Sequence, residues 1–219
     1  PAFNQDALAL SDALEKLMNF VRELKAAGIG ITYVNIGGGL GITYRDETPP
    51  LPRDMARAIQ PLLKASGCSI VMEPGRAIGG NAGILVTRVL YHKQTGSKRF
   101  LIVDAGMNDL IRPSLYDAYH DIRPLAETRD ARKAVYDVVG PICESGDFLA
   151  KDRALPEVKQ GDLLAVMSAG AYGFSMSSNY NSRPRAAEVV VRGNEYFIIR
   201  ERETYNDLIK GEKVPRWLE

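Results

Sequence analysis

The spacing of apolar residues changes once along this 219-residue sequence, near residue 82, and that change constrains the fold more than any other feature. Before it, the sequence predicts helices over 7–28 and 53–65 and buried strands over 31–36 and 69–73. Pro61 is expected to bend or break the second helix. Such alternation is typical of a parallel α/β unit, in which ligands bind at the carboxyl ends of the strands.

The sequence after residue 82 predicts strands separated by short turns. Strands are expected over 83–91, 100–104, 133–139, 162–168, 186–192 and 195–200. Short helices are expected near 108–116 and 204–210. We therefore predict two domains, an α/β part over 1–82 and a mainly antiparallel β domain over 83–219.

Composition argues against several classes of protein. The 28 basic and 27 acidic residues leave a net charge of +1, so no charge excess indicates a nucleic-acid or membrane partner. No apolar run reaches the length of a membrane span, and the first residues do not resemble a signal peptide. The cysteines, Cys68 and Cys143, lie far apart, which favours reduced thiols and the cytoplasm. Because the sequence begins at Pro1 and not at Met, we expect a piece of a longer protein.

Polar motifs follow the first two predicted strands. Gly37-Gly38-Gly39 comes directly after the first strand, where backbone N–H groups can converge on a phosphate, although a plain flexible turn fits the same residues. Glu73-Pro74-Gly75-Arg76 ends the second strand. Its two charges either face one ligand together or form an exposed ion pair that contributes little to stability.

A thiol and a carboxylate adjoin in the stretch Gly140-Pro141-Ile142-Cys143-Glu144-Ser145-Gly146-Asp147. The glycines and the proline predict a loop. Cys143 on such a loop is either a catalytic group or a small buried hydrophobe.

Three further residues are candidates for a binding site. Arg112 and Tyr116 lie one helical turn apart, so they can hold one carboxylate together or belong to an exposed helix face. Tyr172, flanked by small residues, can reach into a site or serve as a core aromatic. The two histidines, His92 and His120, have no partner at metal-ligand spacing, so we predict no metal site.

Taken in order, these motifs resemble the fold-type III pyridoxal-phosphate decarboxylases (the alanine racemase/ornithine decarboxylase-like enzymes), and among them the diaminopimelate decarboxylases. The resemblance covers essentially the whole chain. Its most specific matches are residues 108–116, Tyr119-His120, residues 143–147 and Asn181-Ser182-Arg183-Pro184-Arg185. Glu144 separates the sequence from ornithine-type relatives, which usually carry Asp after the cysteine.

The resemblance implies a (β/α)8 barrel followed by a β domain. Residues 1–82 match the C-terminal part of that barrel, which is incomplete here, and residues 83–219 match the C-terminal antiparallel, barrel-like β domain. Two βα units cannot close an eight-stranded barrel, so a missing N-terminal barrel segment is expected. The lysine that forms the Schiff base with pyridoxal 5′-phosphate in this family would lie in that segment, because none of the ten lysines here falls in a matching motif.

The resemblance also implies residue roles. The cofactor-binding set comprises Gly37, Gly38 and Gly39 at the phosphate, Glu73 facing the ring nitrogen, and Pro74, Gly75, Arg76 and Tyr172. Cys143 matches the catalytic proton donor, and an ordinary thiol, with a pKa of about 8.5, is mostly protonated near neutral pH. The substrate-binding set comprises Arg76, Arg112, Tyr116, Glu144 and Tyr172.

The implied activity is decarboxylation of meso-2,6-diaminopimelate to L-lysine and CO2, the final step of lysine biosynthesis, in the cytoplasm. The family implies a homodimer in which the Cys-Glu loop reaches the partner's site, and the chain alone is expected to be inactive. Two alternatives stay open. One is a related decarboxylase acting on ornithine, arginine or carboxynorspermidine, and the other is a non-catalytic paralogue that acts by binding a protein.

Overall fold

The computed structural model describes residues 7–126 and 132–218, with side chains from Asp12 onward. The chain forms two compact units. Unit 1 comprises the residues up to Ile84 together with Met167–Ala171, and unit 2 comprises Leu85–Val166 and the residues from Tyr172 onward. The chain therefore returns once to unit 1 after it has entered unit 2.

Unit 1 alternates helices with short strands. Its elements are α1 (Ala7–Ala26), β1 (Tyr33–Asn35), α2 (Pro52–Ser66), β2 (Ser69–Val71) and α3 (Gly75–Gly79). β1 and β2 pair in parallel, with Val34 opposite Ile70. The predicted helices and strands are confirmed, although both strands are shorter than the sequence indicated.

The core of unit 1 lies where α1 and α2 pack together beside β1. It consists of Leu14, Met18, Val21, Val34, Met55 and Ile59. The three residues from α1 recur at the spacing that aligns side chains on one helix face. Pro61 does not end α2, which continues to Ser66. Met55 and Ile59 hold the helix in the core, while the exposed Pro61 removes a hydrogen bond only from the solvent side.

Unit 2 is built mainly from strands. They are β3 (Leu85–Thr95), β4 (Lys98–Val103), β5 (Ile122–Pro124), β6 (Lys133–Val139), β7 (Phe148–Pro156), β8 (Leu163–Val166), β9 (Glu188–Arg192) and β10 (Glu195–Arg200). The short helices are α4 (Arg112–Tyr116) and α5 (Tyr205–Leu208). The predicted strands are confirmed within a few residues, whereas β5 and β7 were missed.

Six strands of unit 2 form one mixed sheet in the order β5-β8-β3-β4-β6-β7. The strand pairs are antiparallel except β4 with β6, which run in parallel. The edge strands β5 and β7 also contact each other, so the sheet nearly closes into a barrel. Its fully buried side chains include Val89, Leu101, Val103, Val138, Leu149, Leu155, Leu164 and Val166. The prediction of a β-rich, barrel-like sheet is confirmed, and the sheet is mixed because β4 and β6 pair in parallel.

β9 and β10 form a separate antiparallel hairpin. Val191 lies opposite Tyr196 and Val190 lies opposite Phe197, and each of these side chains is at least 50% exposed. Because successive residues of a strand point to opposite faces, the hairpin exposes apolar side chains on both faces. None of the helices in the described ranges is both long enough and apolar enough to cross a membrane.

Candidate functional site

The glycine turn, Gly37–Gly39, follows β1 after one residue and contacts Glu73, which lies two residues beyond the end of β2. The backbone N–H of Glu73 donates to the carbonyl of Gly37 at 2.8 Å. A Cβ atom at position 38 would lie 2.6 Å from the backbone oxygen of Glu73, so only glycine allows this approach. Gly37 and Gly39 adopt φ values of 67° and 97°, which favour glycine as well. The two strand-end motifs of unit 1 are therefore adjacent.

Asn35, the last residue of β1, joins the glycine turn to Glu73 through its side chain. Its amide nitrogen donates to Glu73 Oε1 at 2.6 Å, and its amide oxygen accepts from the backbone N–H of Gly37 at 2.8 Å. Asn35 was not among the site residues predicted from the sequence. The available signal was a polar residue at the end of an apolar strand that leads into a glycine turn.

Glu73, Pro74, Gly75 and Arg76 lead from β2 into α3. Pro74 immediately precedes the helix, and Arg76 is half-buried in its first turn. The predicted helical turn that contains Arg76 is present, whereas Glu73 lies two residues beyond β2 and not at its last position. Unit 1 thus brings together the glycine turn and the Glu73 carboxylate, with Arg76 three residues further along the chain in α3.

The Cys-Glu loop, residues 140–147, connects β6 to β7 in unit 2. Its ends are held together where the N–H of Gly140 donates to the carbonyl of Asp147 at 3.2 Å. Both Cys143 and Glu144 are exposed, so the thiol is not the buried hydrophobe that the sequence left open. Glu144 Oε1 accepts from the N–H of Gly146 at 3.2 Å, and the Tyr180 hydroxyl approaches its Oε2 at 3.5 Å.

The Asp147 carboxylate lies beneath this loop and is only 5% exposed. Oδ2 accepts from the N–H of Ile142 at 2.6 Å, and Oδ1 accepts from the N–H of Met107 at 2.7 Å. Burial raises the pKa of the Asp147 carboxyl above its ordinary value, while the two N–H groups act in the opposite direction. Asp147 belongs to the motif at residues 140–147, but no role was predicted for it from the sequence.

Arg112 and Tyr116 lie at the two ends of α4. Arg112 is buried, at 7% exposure, and its guanidinium carbon lies 5.7 Å from the centre of the Tyr172 ring, within range of a cation–π interaction. Tyr116 is 60% exposed. A Cβ atom at Gly146 would lie 2.7 Å from Ser114 Oγ, so the Cys-Glu loop passes close to α4. Unit 2 therefore brings Arg112, Tyr172 and the Cys-Glu loop into one region.

Arg183, from the predicted motif 181–185, stabilises the turn that precedes α4. Its Nε donates to Asn108 Oδ1 at 3.1 Å, and its Nη2 donates to the carbonyl of Asp104. Asn108 is 1% exposed, so this hydrogen bond is made inside the unit. Burial raises the pKa of Asp109, whose Oδ2 lies 4.0 Å from the same guanidinium. The motif therefore supports local structure.

Metal binding has no candidate cluster in the described part of the chain. There, no group of three or more His, Cys, Asp or Glu side chains is arranged to hold an ion. His120 is fully buried, and its backbone carbonyl accepts from Arg153 at 2.7 Å.

Comparison with known proteins points to one family. Residues 9–170 match the family model described as the C-terminal sheet domain of pyridoxal-dependent decarboxylases. A diaminopimelate decarboxylase from Pseudomonas aeruginosa is 57% identical over 203 residues, which cover 93% of this chain and 48% of that protein. A second, from Aquifex aeolicus, is 54% identical over 200 residues, covering 91% of this chain and 47% of that protein.

A solved structure of the same enzyme type has a similar fold. The crystal structure of diaminopimelate decarboxylase from Helicobacter pylori, complexed with L-lysine, matches with a TM-score of 0.85 at 42% identity, covering 93% of this chain and 50% of that chain. The chain spans about half the length of the curated relatives it matches. Because the family model covers more than half of its residues, the chain belongs to the pyridoxal-dependent decarboxylases and carries their C-terminal sheet domain.

Proposed function

We propose that this chain is part of a pyridoxal 5′-phosphate-dependent decarboxylase that converts meso-2,6-diaminopimelate to L-lysine and CO2. The observation that carries the proposal is its identity of 57% and 54%, over more than nine-tenths of its length, to proteins named diaminopimelate decarboxylase. The Cys-Glu loop and the Arg112–Tyr172 pair, which lie in one region of unit 2, supply charged and polar side chains suited to a substrate with two ammonium and two carboxylate groups.

The residues of unit 1 fit the cofactor. A glycine turn with close backbone approach suits a phosphate, and a carboxylate on the adjoining strand end suits a protonated pyridine nitrogen. Asn35 fixes the orientation of that carboxylate. Gly37–Gly39, Glu73, Pro74, Gly75, Arg76 and Tyr172 would hold the group. When bound, pyridoxal phosphate supplies an electron sink for the electrons left on the substrate when CO2 departs.

Cys143 is the proton donor in this proposal. Its thiol is exposed on a loop, so a substrate can reach it. A positioned thiol delivers its proton to the reacting carbon, so that a C–H bond replaces the C–C bond lost with CO2.

The enzyme would select its substrate by binding the second carboxylate and the second ammonium of diaminopimelate. Glu144 would bind the distal ammonium, whereas Arg112, Tyr116 and Arg76 would bind the distal carboxylate, with Tyr172 beside the cofactor. A substrate without these charges would leave the site's own charges unpaired, which disfavours its binding strongly.

The remaining half of the relatives' length would supply the rest of a (β/α)8 barrel, and the parallel β1–β2 pair with α1 and α2 would form its last part. That half would also carry the lysine that bonds to the cofactor. We propose a cytoplasmic homodimer in which the Cys-Glu loop serves the partner's site.

A substrate panel tests this function. The full-length enzyme, in which this chain is joined to the preceding half, is assayed for CO2 release from meso-diaminopimelate, ornithine, arginine and carboxynorspermidine. We expect kcat/KM for meso-diaminopimelate to exceed the values for the other substrates by about 10⁴-fold. A site built to bind a polar group of its substrate rejects analogues that lack this group by about that factor. Faster turnover of ornithine would refute the substrate assignment, and no turnover of any of them would favour a protein-binding paralogue.

A further inference from the structure

Two separate backbone segments of unit 2 carry the proposed catalytic and substrate-binding residues. One is the Cys-Glu loop, with Cys143 and Glu144. The other is the 106–110 turn, which leads into α4 and Arg112, and in which the N–H groups of Asp109 and Leu110 donate to the carbonyl of Gly106 at 2.9 and 3.2 Å. In sequence, 29 residues separate these segments, so their relative position depends on tertiary contacts.

The Asp147 carboxylate bonds to both segments, with one oxygen for each. Oδ2 accepts from Ile142, the residue directly before Cys143, at 2.6 Å, and Oδ1 accepts from Met107 in the 106–110 turn at 2.7 Å. Both distances are typical of strong hydrogen bonds to an ionised acceptor. A single rigid group therefore sets the separation between the two segments.

Two glycines make room for this carboxylate. A Cβ atom at Gly140 would lie 2.6 Å from Asp147 Oδ1 and 2.6 Å from the Cα of Gly106. A Cβ atom at Gly106 would lie 3.0 Å from the same carboxylate oxygen. The backbones of both segments thus pack directly around Asp147, and neither can shift toward it.

An ionised carboxylate at this depth is costly unless its oxygens are hydrogen-bonded. Asp147 is 5% exposed, and burial raises its pKa, so its ionised form is less stable there than in water. Arg183, which bonds to Asn108 in the adjacent turn, contributes the nearby positive charge. This unfavourable burial of a carboxylate is explained if function requires the Cys-Glu loop and the 106–110 turn to keep a fixed relative position.

We infer that Asp147 is a positioning residue, which holds the Cys-Glu loop in a fixed place relative to the turn that leads to Arg112. This inference rests on the proposed function, because Cys143, Glu144 and Arg112 must contact the substrate for their relative position to affect turnover. Asp147 itself need not touch the substrate.

The test compares Asp147→Asn with the matched variant Asp137→Asn in the full-length enzyme. Asp137 lies in β6 and is likewise buried. Its carboxylate accepts from the N–H of Asp152 at 2.7 Å and from Lys98, and neither partner belongs to the two segments. We expect Asp147→Asn to lower kcat/KM for meso-diaminopimelate about tenfold or more, with cofactor affinity unchanged, whereas Asp137→Asn changes kcat/KM less than about twofold. Equal losses in both variants, or no loss in Asp147→Asn, would overturn the inference.

A second readout does not depend on turnover. In the full-length enzyme, Asp147→Asn should accelerate hydrogen exchange at the amides of Met107 and Ile142 by at least about tenfold and alter the alkylation rate of Cys143, while Asp137→Asn leaves all three unchanged. Unaltered exchange in Asp147→Asn would refute the positioning role even if the enzyme is a diaminopimelate decarboxylase. If the wild-type enzyme does not decarboxylate diaminopimelate, the proposed function fails, and the exchange comparison still decides whether Asp147 joins the segments.

A further variant covers the case in which Asp147→Asn does not fold. Gly140→Ala keeps the carboxylate and all its donors but places a methyl group against Asp147 Oδ1. We expect it to accelerate exchange at the same two amides. Gly30→Ala is the control for an added methyl group, because its Cβ atom would meet nothing within 4 Å and its φ is not positive.

Discussion

Cys143 lies exposed on a loop whose shape depends on other residues. The hydrogen bonds at the ends of the loop involve Gly140, Ile142 and Asp147, so the thiol can be removed without loss of that framework. We expect Cys143→Ala in the full-length enzyme to retain cofactor affinity and to lose about 10²- to 10⁴-fold in kcat, the usual range for a positioned acid.

The other thiol provides a control for the Cys143 variant. Cys68 is half-buried in unit 1, where its Sγ donates to the carbonyl of Ile31 at 3.5 Å. Cys68→Ala should therefore keep normal turnover. Rates are measured by CO2 release, and cofactor affinity by titration. Wild-type turnover in Cys143→Ala would remove its role as proton donor.

Gly38 is the residue of the glycine turn with the least space. Alanine at this position would bring Cβ within 2.6 Å of the Glu73 backbone oxygen and push β1 and β2 apart at the cofactor end. Because such strain typically costs about 1–3 kcal/mol, we expect Gly38→Ala to weaken cofactor binding by about tenfold or more. Gly30→Ala is the matched control, since nothing lies within 4 Å of its Cβ position. Equal cofactor affinity of the two variants would contradict the proposed role of the turn.

Sequence motifs were enough to choose the candidate site residues, but they did not show which other residues hold them in place. Cys143, Glu144, Glu73 and Arg112 stand out by residue type and by order. Asn35 and Asp147 were missed because their roles depend on partners 38 and 40 residues away in sequence. A local pattern contains no information about such contacts.

The segment that precedes β9 is held by the carboxylate of Glu203, which follows β10. Glu203 Oε1 accepts from Arg185 Nε at 2.8 Å, and Oε2 accepts from the Arg185 N–H at 2.8 Å and from Asn179 at 2.6 Å. The hydrogen bonds from the Arg185 side chain and N–H lower the pKa of Glu203 from 4.5 to about 2. The pair spans the β9–β10 hairpin at its base.

This lowered pKa predicts a pH-dependent stability. A carboxylate with a depressed folded-state pKa stabilises the fold fully above about pH 4.5, and that contribution is lost as the pH falls toward about 2. Glu203→Gln should therefore lower the free energy of unfolding by about 1–2 kcal/mol at pH 7, a value discounted for solvent screening. The difference from wild type should disappear near pH 2.

Urea unfolding at several pH values measures this effect. Glu201→Gln is the control, because Glu201 is exposed and forms no hydrogen bond or ion pair within the described residues. A Glu203→Gln deficit that stays constant between pH 7 and pH 2 would exclude the proposed linkage.

The strands missed from the sequence share a physical cause. β7 carries Lys151, Asp152 and Arg153 in succession, which interrupts the alternation of apolar and polar residues. The pairing of β6 with β7 shifts register here, and Asp152 adopts a φ of 48°, so the local backbone departs from a regular strand. β5 has three residues and ends in proline. By contrast, the bounds predicted for β6 and β10 are confirmed. Apolar residues predominate in both strands, and only Asp137 interrupts them in β6.

The sheet order was also beyond prediction from the sequence. The parallel pairing of β4 with β6, between two elements separated by α4 and β5, follows from how the strands close around a shared core. Periodicity indicates that a strand exists and which face is buried, whereas the choice of neighbour depends on long-range packing.

For the whole molecule, the decisive feature is that the chain spans about half the length of its relatives. Unit 1 has a two-stranded parallel sheet, whereas the proposed barrel needs eight strands. The hairpin β9–β10 exposes Phe197 and Tyr196 at 71% and 75%. Both features agree with the proposal that this chain is part of a longer decarboxylase.

The last prediction concerns this chain by itself. Under the proposed function, the cofactor-bonding lysine is none of the ten lysines of this chain. Incubation with pyridoxal phosphate and then borohydride should therefore attach cofactor to no single lysine stoichiometrically. The full-length enzyme, treated identically, should gain one cofactor mass at a lysine outside these 219 residues. Intact mass measurement with peptide mapping distinguishes the two. A stoichiometric adduct at one lysine of this chain would instead assign the cofactor bond to the half described here, and the proposed division of the site between the halves would be wrong.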